Sequence, residues 1–458
     1  MTLHDSIQHA IDSLAIDPTV QEVAQQSANA DASSNTGLVI AFIGLLIFAA
    51  HLFTEIFSRK RIPDVLLLMV IGLILGPVLH WVKPEDLGPV AGVFTTITLV
   101  IILFQSGTEL NFNTLLKSIR GTMKLTLINF FITTIVVALL GLIVKVDFLT
   151  SLMLGAILGG TSSAVVIPMV GQLKISEKGG TILILESAFS DVLCIVFAWA
   201  FMQAILSGAM NVGRVIGEIL SSFILASVIG IVAAVLWSYV LNRVRHVKNS
   251  ILTTPAFVFI VYGFNEWLGF SGAIAALAFG IGMANIDSMY RHGFIIRKMF
   301  KEQPAKLNDT EKQLFSEVVF LLKTFFFVYI GVSIKIDQLL PILIGLAITV
   351  VLFALRIPIV RLSVHSKKDN MPTEDKVFMS GIVPKGLAAA VLATIPLQKG
   401  IEGGAMIQNV VFAVILFSIV FTSILVPVLE HNNAISRMYK RCFSPKEDPS
   451  LTEILDQE

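Results

Sequence analysis

Two carboxylates, Glu186 and Asp191, lie five residues apart in the sequence ESAFSD, inside an apolar stretch over residues 181–203. A carboxylate at the centre of a bilayer costs roughly 2.5 to 3.5 kcal/mol on insertion scales, so each is expected to have a compensating partner. In a helix the side chains of Glu186 and Asp191 would lie about 140° apart around the axis, whereas Ser187, Ser190 and Asp191 would share one face. Hydroxyl oxygens beside a carboxylate suit a hard cation, which predicts a cation site at Asp191.

Two apolar segments are interrupted by glycine and proline. The segment 148–171 contains GGTSS at residues 159–163, and the segment 377–397 contains GIVPKG at residues 381–386. Helix breaks at membrane depth survive only where they are buried or line a cavity, and a matched pair in the two halves of a chain indicates a transporter site. The breaks lie seven predicted spans apart, and an odd offset predicts inverted repeats whose broken helices cross.

The first break supplies further oxygen atoms. Thr161 and Ser162, together with carbonyl groups freed from helical hydrogen bonds, are predicted to complete a shell around Asp191. Carboxylate, hydroxyl and carbonyl oxygens suit a small monovalent cation. A proton and a cation would compete for the same carboxylate, and this competition is sufficient for the exchange of one ion for the other.

Two basic residues also lie inside apolar segments. Arg356, in the sequence FALRIPIV, is always protonated and needs a buried partner. Glu186 faces away from the predicted ligands and is the expected partner, in a pair that clamps two helices together. Lys385 has three candidate roles: it neutralises the dipole ends of the broken helices, forms a salt bridge with Asp191, or carries a proton itself. We favour the first.

The elements that position these residues are apolar helices, because 55% of the 458 residues are hydrophobic and only 14% are charged. This composition predicts an all-α polytopic membrane protein. Windows of about twenty apolar residues predict thirteen spans. The predicted spans are 37–57, 62–81, 88–106, 122–144, 148–171, 181–205, 213–241, 251–268, 270–285, 316–334, 338–360, 377–397 and 405–430.

Lysine and arginine are concentrated in alternate loops, at residues 59–61, 117–124, 243–248 and 291–312. The positive-inside rule places these loops in the cytoplasm, with the N-terminus outside and the C-terminus inside. We therefore expect a multi-pass protein of the cell inner membrane or plasma membrane, surrounded by membrane lipid. Its predicted parts are an extracytoplasmic segment (1–36), a transmembrane domain (37–430) and a cytoplasmic tail (431–458).

Several other functions find no support in the sequence. A net charge of +1 offers no basis for binding nucleic acid. Cys194 and Cys442 lie in a span and in the tail, so neither a disulfide nor a cysteine metal site is expected. We see no nucleophile with a neighbouring base and no phosphate-binding loop. The sequence therefore predicts a protein that is not an enzyme and uses no cofactor.

The combination of motifs resembles a known family, the monovalent cation:proton antiporter superfamily, and is most similar to its NhaP-like sodium/proton exchanger branch. The resemblance covers all thirteen spans in order. It rests on RIPDVLLLMVIGLILGPV (61–78), LFQSGTELN (103–111), ESAFSD (186–191), the arginine at 356 and VPKGLAAAVLA (383–393).

This resemblance implies a homodimer in which core helices, about 122–205 and 338–430, move like an elevator against the remaining interface helices. It also implies that Asp191 binds the ion, with Thr161 and Ser187 as ligands. The pairing of Glu186 with Arg356, already expected from their charges, is implied as well.

Three positions differ from that branch. Ser190 precedes Asp191 where the branch usually has asparagine, Ser162 and Ser163 stand in place of Asp-Pro, and Lys385 replaces a common arginine. The serines and the lysine are similar to a second branch that includes potassium/proton antiporters and electrogenic exchangers. The main prediction is electroneutral exchange of Na⁺ or Li⁺ for H⁺, and K⁺/H⁺ exchange is the alternative. A cation channel or a transporter-like sensor is disfavoured, because neither a repeated pore filter nor a signalling domain is visible.

Overall fold

Helices are the only regular elements in the described part of the chain. A computed structural model describes residues 41, 44–52, 63–84, 88–110, 112–208, 212–244, 250–292, 304–364 and 371–443. The chain divides into two compact units, Met1–Glu55 and Ile56–Glu458, and residues 44–52 of the first are helical. The all-α class is confirmed. The predicted N-terminal segment (1–36) lies outside the described residues.

The larger unit begins with α1, which continues into a short π-helix at Ile74–Val78, and a 3₁₀ turn at Ser250–Leu252 precedes α8. Each predicted span after the first coincides with one helix or one pair of helices. In chain order the helices are α1 Asp64–Leu73, α2 Gly88–Glu109, α3 Phe112–Ile143, α4 Phe148–Ile157, α5 Ser163–Gln172, α6 Glu177–Ser207, α7 Val212–Val244, α8 Thr253–Trp267, α9 Gly272–Ala284, α10 Ile286–His292, α11 Asp309–Ser333, α12 Leu339–Ser363, α13 Thr373–Gly381, α14 Leu387–Gln398, α15 Gly404–His431 and α16 Asn433–Phe443.

Six helical segments in the described ranges are long and apolar enough to cross a membrane. They are Gly121–Ile143, Glu177–Ser207, Ser221–Leu241, Asp309–Ser333, Leu339–Ser363 and Gly404–His431. Shorter apolar helices of 10–17 residues include α4, α5 and α14, which belong to the two interrupted spans. The breaks predicted at residues 159–163 and 381–386 are therefore confirmed.

Side-chain caps explain where several helices begin. The Asp147 carboxylate accepts hydrogen bonds from the first backbone N–H groups of α4, and the Ser176 hydroxyl accepts one from Gly179 at the start of α6. Asn308 and Glu311 form a reciprocal capping box at the start of α11. α6 ends at Ser207 and is followed by Gly208, whose φ of 59° is a left-handed conformation that glycine adopts without strain.

The helices pack in two groups. In one group α9 lies against α2 and α7, and α1 lies against α11. Glycines allow the close approach: a Cβ on Gly72 would collide with the α11 backbone, and one on Gly107 would collide with the α9 backbone.

The second group consists of α3, α4 and α6 packed with α12, α14 and α15. These helices lie within residues 122–205 and 338–430, and the division of the chain into a moving core and interface helices stays a prediction. α14 also contacts α2 and α11 of the first group, so the groups meet beside the second break.

Candidate cation-binding site

The two helix breaks contact each other. α4 ends at Ile157 and α5 begins at Ser163, whereas α13 ends at Gly381 and α14 begins at Leu387. Between them, the Ser162 N–H donates a 2.8 Å hydrogen bond to the Pro384 carbonyl. A Cβ on Gly386 would collide with the Ser162 hydroxyl, so this close approach requires glycine. The predicted crossing of the broken helices is confirmed.

Lys385 lies at this crossing with 1% of its surface exposed. Its Nζ donates a 2.7 Å hydrogen bond to the carbonyl of Gly160, just beyond the C-terminal end of α4. Its backbone N–H donates to the Ser418 hydroxyl on α15 at 2.9 Å. A cation at a helix C-terminus offsets the negative end of the helix dipole. This geometry fits the first of the three roles considered for Lys385.

Asp191 is half-buried and lines a cavity of about 320 Å³. Side chains of α2, α5, α11 and α14 form the other walls, so the cavity lies where the two helix groups meet. Ser162 lines the same cavity and is 4% exposed, and its hydroxyl has no hydrogen-bond partner among the described residues. Buried hydroxyls rarely lack a partner, so Ser162 has an oxygen available for a ligand beside Asp191.

Thr161 is the other predicted ligand in the first break. Within the described part of the chain its buried side-chain hydroxyl also lacks a hydrogen-bond partner, whereas its backbone N–H donates to the Ser190 hydroxyl at 3.0 Å. Ser190 in turn donates to the Ser187 carbonyl at 3.0 Å. Ser190 therefore connects the first break to α6, a function that the sequence did not indicate.

Ser187 is fully buried, and its hydroxyl donates a 2.8 Å hydrogen bond to the Ile184 carbonyl of its own helix. A hydroxyl that donates one hydrogen bond still has acceptor lone pairs. Ser187 therefore retains an oxygen that can bind a cation, while its rotamer is held by the helix.

Glu186 and Arg356 form a bidentate ion pair. The guanidinium nitrogens Nη1 and Nη2 lie 2.5 Å and 2.6 Å from the two carboxylate oxygens, and both residues are 0% exposed. The Arg356 Nε also donates to the Met379 carbonyl of α13 at 3.0 Å. The structure thus brings together the two residues that the sequence paired, and links α6, α12 and α13.

Two further contacts hold the first break and its flanks. The Asn129 side-chain amide donates to the Gly159 carbonyl at 3.4 Å, which joins α3 to the break. Ser176, before α6, is hydrogen-bonded through its backbone N–H and its hydroxyl to the carboxylate of Asp375 on α13. Their sequence signal is weak, because isolated polar residues near span ends are common in membrane proteins.

Residues 38–431 match a protein family described as sodium/hydrogen exchanger, transmembrane. The chain belongs to this sodium/hydrogen exchanger family. The predicted relationship to the monovalent cation:proton antiporter superfamily is therefore confirmed, and the protein is a multi-pass membrane protein of a transporter family.

Individual exchanger relatives are distant in sequence. A K(+)/H(+) antiporter NhaP2 from Shewanella sp. (strain MR-4) is 26% identical over 402 residues, covering 82% of this chain and 64% of the relative. The chain thus spans less than two thirds of that relative's length. A Na(+)/H(+) antiporter 1 from Methanocaldococcus jannaschii is 23% identical over 368 residues, covering 78% of this chain and 82% of the relative.

The exchanger fold is also found in a solved structure, that of the sodium proton antiporter MjNhaP1 from Methanocaldococcus jannaschii at pH 8. The match has a TM-score of 0.67 and 19% sequence identity, and covers 89% of this chain and 98% of that chain. At this identity the similarity shows the shared fold.

Proposed function

We propose that the protein is a secondary antiporter that exchanges Na⁺ or Li⁺ for H⁺ by alternating access. The supporting observation is the position of Asp191. Its carboxylate lines a cavity between two helix groups, next to the point where two broken helices cross. Irregular backbone and an ionisable side chain at one place inside a helical membrane protein are typical of a transport site.

In this proposal Asp191 binds either a proton or a cation. Thr161 and Ser187 supply further oxygens to the cation, and Ser162 faces the same cavity. Ser190 keeps the first break in position through the Thr161 amide. Both loaded states neutralise the carboxylate, whereas the unloaded carboxylate is charged and costly to move through an apolar barrier. This difference couples the two ion movements.

Lys385 is expected to remain protonated throughout the cycle, because its ammonium is hydrogen-bonded to the Gly160 carbonyl. With one carboxylate carrying the substrate and one fixed positive charge, one cation exchanges for one proton and transport is electroneutral.

We further propose a homodimer in the cell inner membrane or plasma membrane, in contact with lipid, with the N-terminus outside and the C-terminus in the cytoplasm. The alternating basic loops of the sequence support this orientation. The core formed by residues 122–205 and 338–430 would carry Asp191 past the interface helices. The packing of α3, α4 and α6 with α12, α14 and α15 supports such a unit.

K⁺/H⁺ exchange is the second candidate. It is favoured by Ser162 and Ser163, because serines in place of an aspartate in the first break leave fewer charged oxygens for tight Na⁺ binding. The similarity to a K(+)/H(+) antiporter also supports it. Both candidates use the same Asp191 site and differ in the cation that binds there.

The purified full chain in liposomes with an internal pH dye provides the test. Addition of Na⁺, Li⁺ or K⁺ should move protons, and the order of half-saturating concentrations identifies the cation. Protein-free liposomes are the control. For stoichiometry, a series of membrane potentials should leave the exchange rate unchanged in both wild type and Lys385→Gln. A voltage-dependent rate that is lost in Lys385→Gln would instead assign the lysine a second proton. No exchange with any cation would contradict the proposed function.

A further inference from the structure

A second carboxylate, Glu109, lines the same cavity as Asp191. Glu109 is the last residue of α2 and is exposed, whereas Asp191 is half-buried on α6 in the other helix group. The Gln105 side-chain nitrogen donates a 3.4 Å hydrogen bond to the Glu109 carboxylate. The two carboxylates thus belong to an outer and an inner part of one cavity.

The oxygen atoms around this cavity are not all used by the protein. The side-chain oxygen of Gln105, one helical turn from Glu109, is buried and has no hydrogen-bond partner in the residues that the structure describes. The same holds, within those residues, for the buried hydroxyl of Ser162, which lines the cavity with Asp191. Buried polar oxygens in this state fit a cavity that holds hydrated cations, because such ions exchange water for protein oxygens as they enter.

The cavity also contains a basic residue, Lys323, but its charge is compensated. The Lys323 ammonium lies 2.9 Å from a carboxylate oxygen of Asp64 on α1, with side-chain exposures of 15% and 11%. Asp64 thus offsets the ammonium of Lys323, while the carboxylates of Glu109 and Asp191 line the cavity. This arrangement favours the entry of cations.

We infer that Glu109 and the Gln105 side-chain oxygen form an outer cation station, which collects a hydrated monovalent cation before it reaches Asp191. This inference rests on the proposed exchange at Asp191. In this inference the Glu109 carboxylate raises the cation concentration at the cavity mouth. Charged clefts with apolar walls raise the local concentration of counter-ions and their association rates by about tenfold or more.

The test compares Glu109→Gln with wild type in the liposome assay. The variant should raise the half-saturating cation concentration about tenfold, and leave the maximal rate within about twofold. Glu109→Asp keeps the charge and should remain near wild type. Glu317→Gln is the matched control, because Glu317 is exposed on α11 and does not line the cavity. Size-exclusion chromatography of each variant verifies folding.

Two further measurements separate an electrostatic station from a structural role. In about 0.15 M of an impermeant salt, where charges are screened over about 8 Å, the difference between Glu109→Gln and wild type should shrink. Asp64→Asn leaves the Lys323 charge uncompensated and should also raise the half-saturating concentration. Adding Lys323→Gln to Asp64→Asn should reverse that rise.

The outcomes for the inference and for the proposed function are distinguishable. If wild type exchanges cations and Glu109→Gln has the same half-saturating concentration at low salt, the outer station is wrong while the function at Asp191 stands. A rate that falls by the same factor at every cation concentration would also contradict the outer station. A site that only collects ions should not limit the rate once the cation concentration is saturating. If the wild type moves no cation, both the outer station and the proposed exchange at Asp191 are wrong.

Discussion

Glu186 and Asp191 are the same class of residue on the same helix, yet their surroundings are opposite. Both oxygens of Glu186 are bonded to Arg356, and neither residue is exposed. Asp191 is half-buried and faces a cavity together with Ser162. A carboxylate whose two oxygens are both bonded to a guanidinium is not available to bind and release ions, whereas a carboxylate that lines a cavity is accessible to them. Pairing and access, rather than residue type, distinguish the buried ion pair from the carboxylate that we propose as the transport site.

The largest effect is expected for Asp191→Asn. The amide cannot bind a proton at the same group or offer a negative charge to a cation, so cation-driven proton movement should fall to the level of protein-free liposomes. Folding should be retained, because the change removes a charge from a cavity and leaves side-chain volume nearly unchanged. Thermal unfolding and size-exclusion chromatography check the fold. Exchange near the wild-type rate would show that the assigned site is wrong.

The opposite result is expected for the clamp. Glu186→Ala or Arg356→Ala leaves its partner as an unpaired buried charge, which costs about 3 to 5 kcal/mol of folding stability. The double variant should lose less than the sum of the single losses, because neither charge then remains. Thermal unfolding in detergent measures all three. Additive losses would mean that the pair does not interact, and Glu374→Ala in an exposed ion pair is the matched control.

Ser187 and Ser190, which lie between the two carboxylates in the sequence, should give stability losses of intermediate size. Ser190→Ala leaves the buried Thr161 N–H without its acceptor, and an unsatisfied buried donor costs about 1 to 3 kcal/mol. Ser187→Ala removes only a hydroxyl that donates to a helix carbonyl, so its stability loss should be smaller. Thermal unfolding tests this order. A reversed order would show that Ser190 does not hold the first break.

Cation affinity tests Ser187 as a ligand. If Ser187 binds the cation, Ser187→Ala should raise the half-saturating cation concentration in liposomes, although it lowers the unfolding temperature less than Ser190→Ala does. Unchanged affinity in this variant would remove Ser187 from the ligand set and leave Asp191 with oxygens from the first break alone.

The breaks and the buried ion pair were predictable because their signals are local or chemically compulsory. Glycine and proline within apolar segments mark a break wherever the helices pack, and a buried arginine requires an acid. Long-range contacts carry no such signal. The structure pairs Lys323 with Asp64, which is 259 residues away in the chain, and nothing in the sequence around Lys323 indicates this partner.

Ser190 illustrates a further limit. The sequence placed its hydroxyl on the face of Asp191, and its role as a ligand stays a prediction. The sequence did not indicate that this hydroxyl accepts from the Thr161 N–H and donates to the Ser187 carbonyl. Which group a serine bonds depends on the backbone of another helix, and only the folded chain brings that backbone into position.

The exposed counterpart of the Glu186–Arg356 clamp joins α13 to α16. The Lys440 ammonium lies 3.0 Å from a carboxylate oxygen of Glu374, with side-chain exposures of 31% and 57%. A backbone N–H hydrogen bond, and then the hydrogen bond from Lys440, hold the pKa of Glu374 below its ordinary value of 4.5. Glu374 precedes the predicted span 377–397, so solvent screens this pair as it does on a soluble surface.

This exposed pair should give the smallest effect, and its sign follows from the direction of the pKa shift. A carboxylate whose pKa is lower in the folded state stabilises the fold above its unfolded pKa, and the contribution disappears as pH falls through the folded value. The folding stability of wild type should therefore exceed that of Glu374→Gln by about 0.2 to 1 kcal/mol at pH 7. The two stabilities should converge at an acidic pH below the folded-state pKa of Glu374. Unfolding midpoints at both pH values measure the difference, with Lys440→Gln as the reciprocal variant. A difference that grows on acidification would contradict the assignment, because it would require the carboxylate to be stabilised in its protonated form.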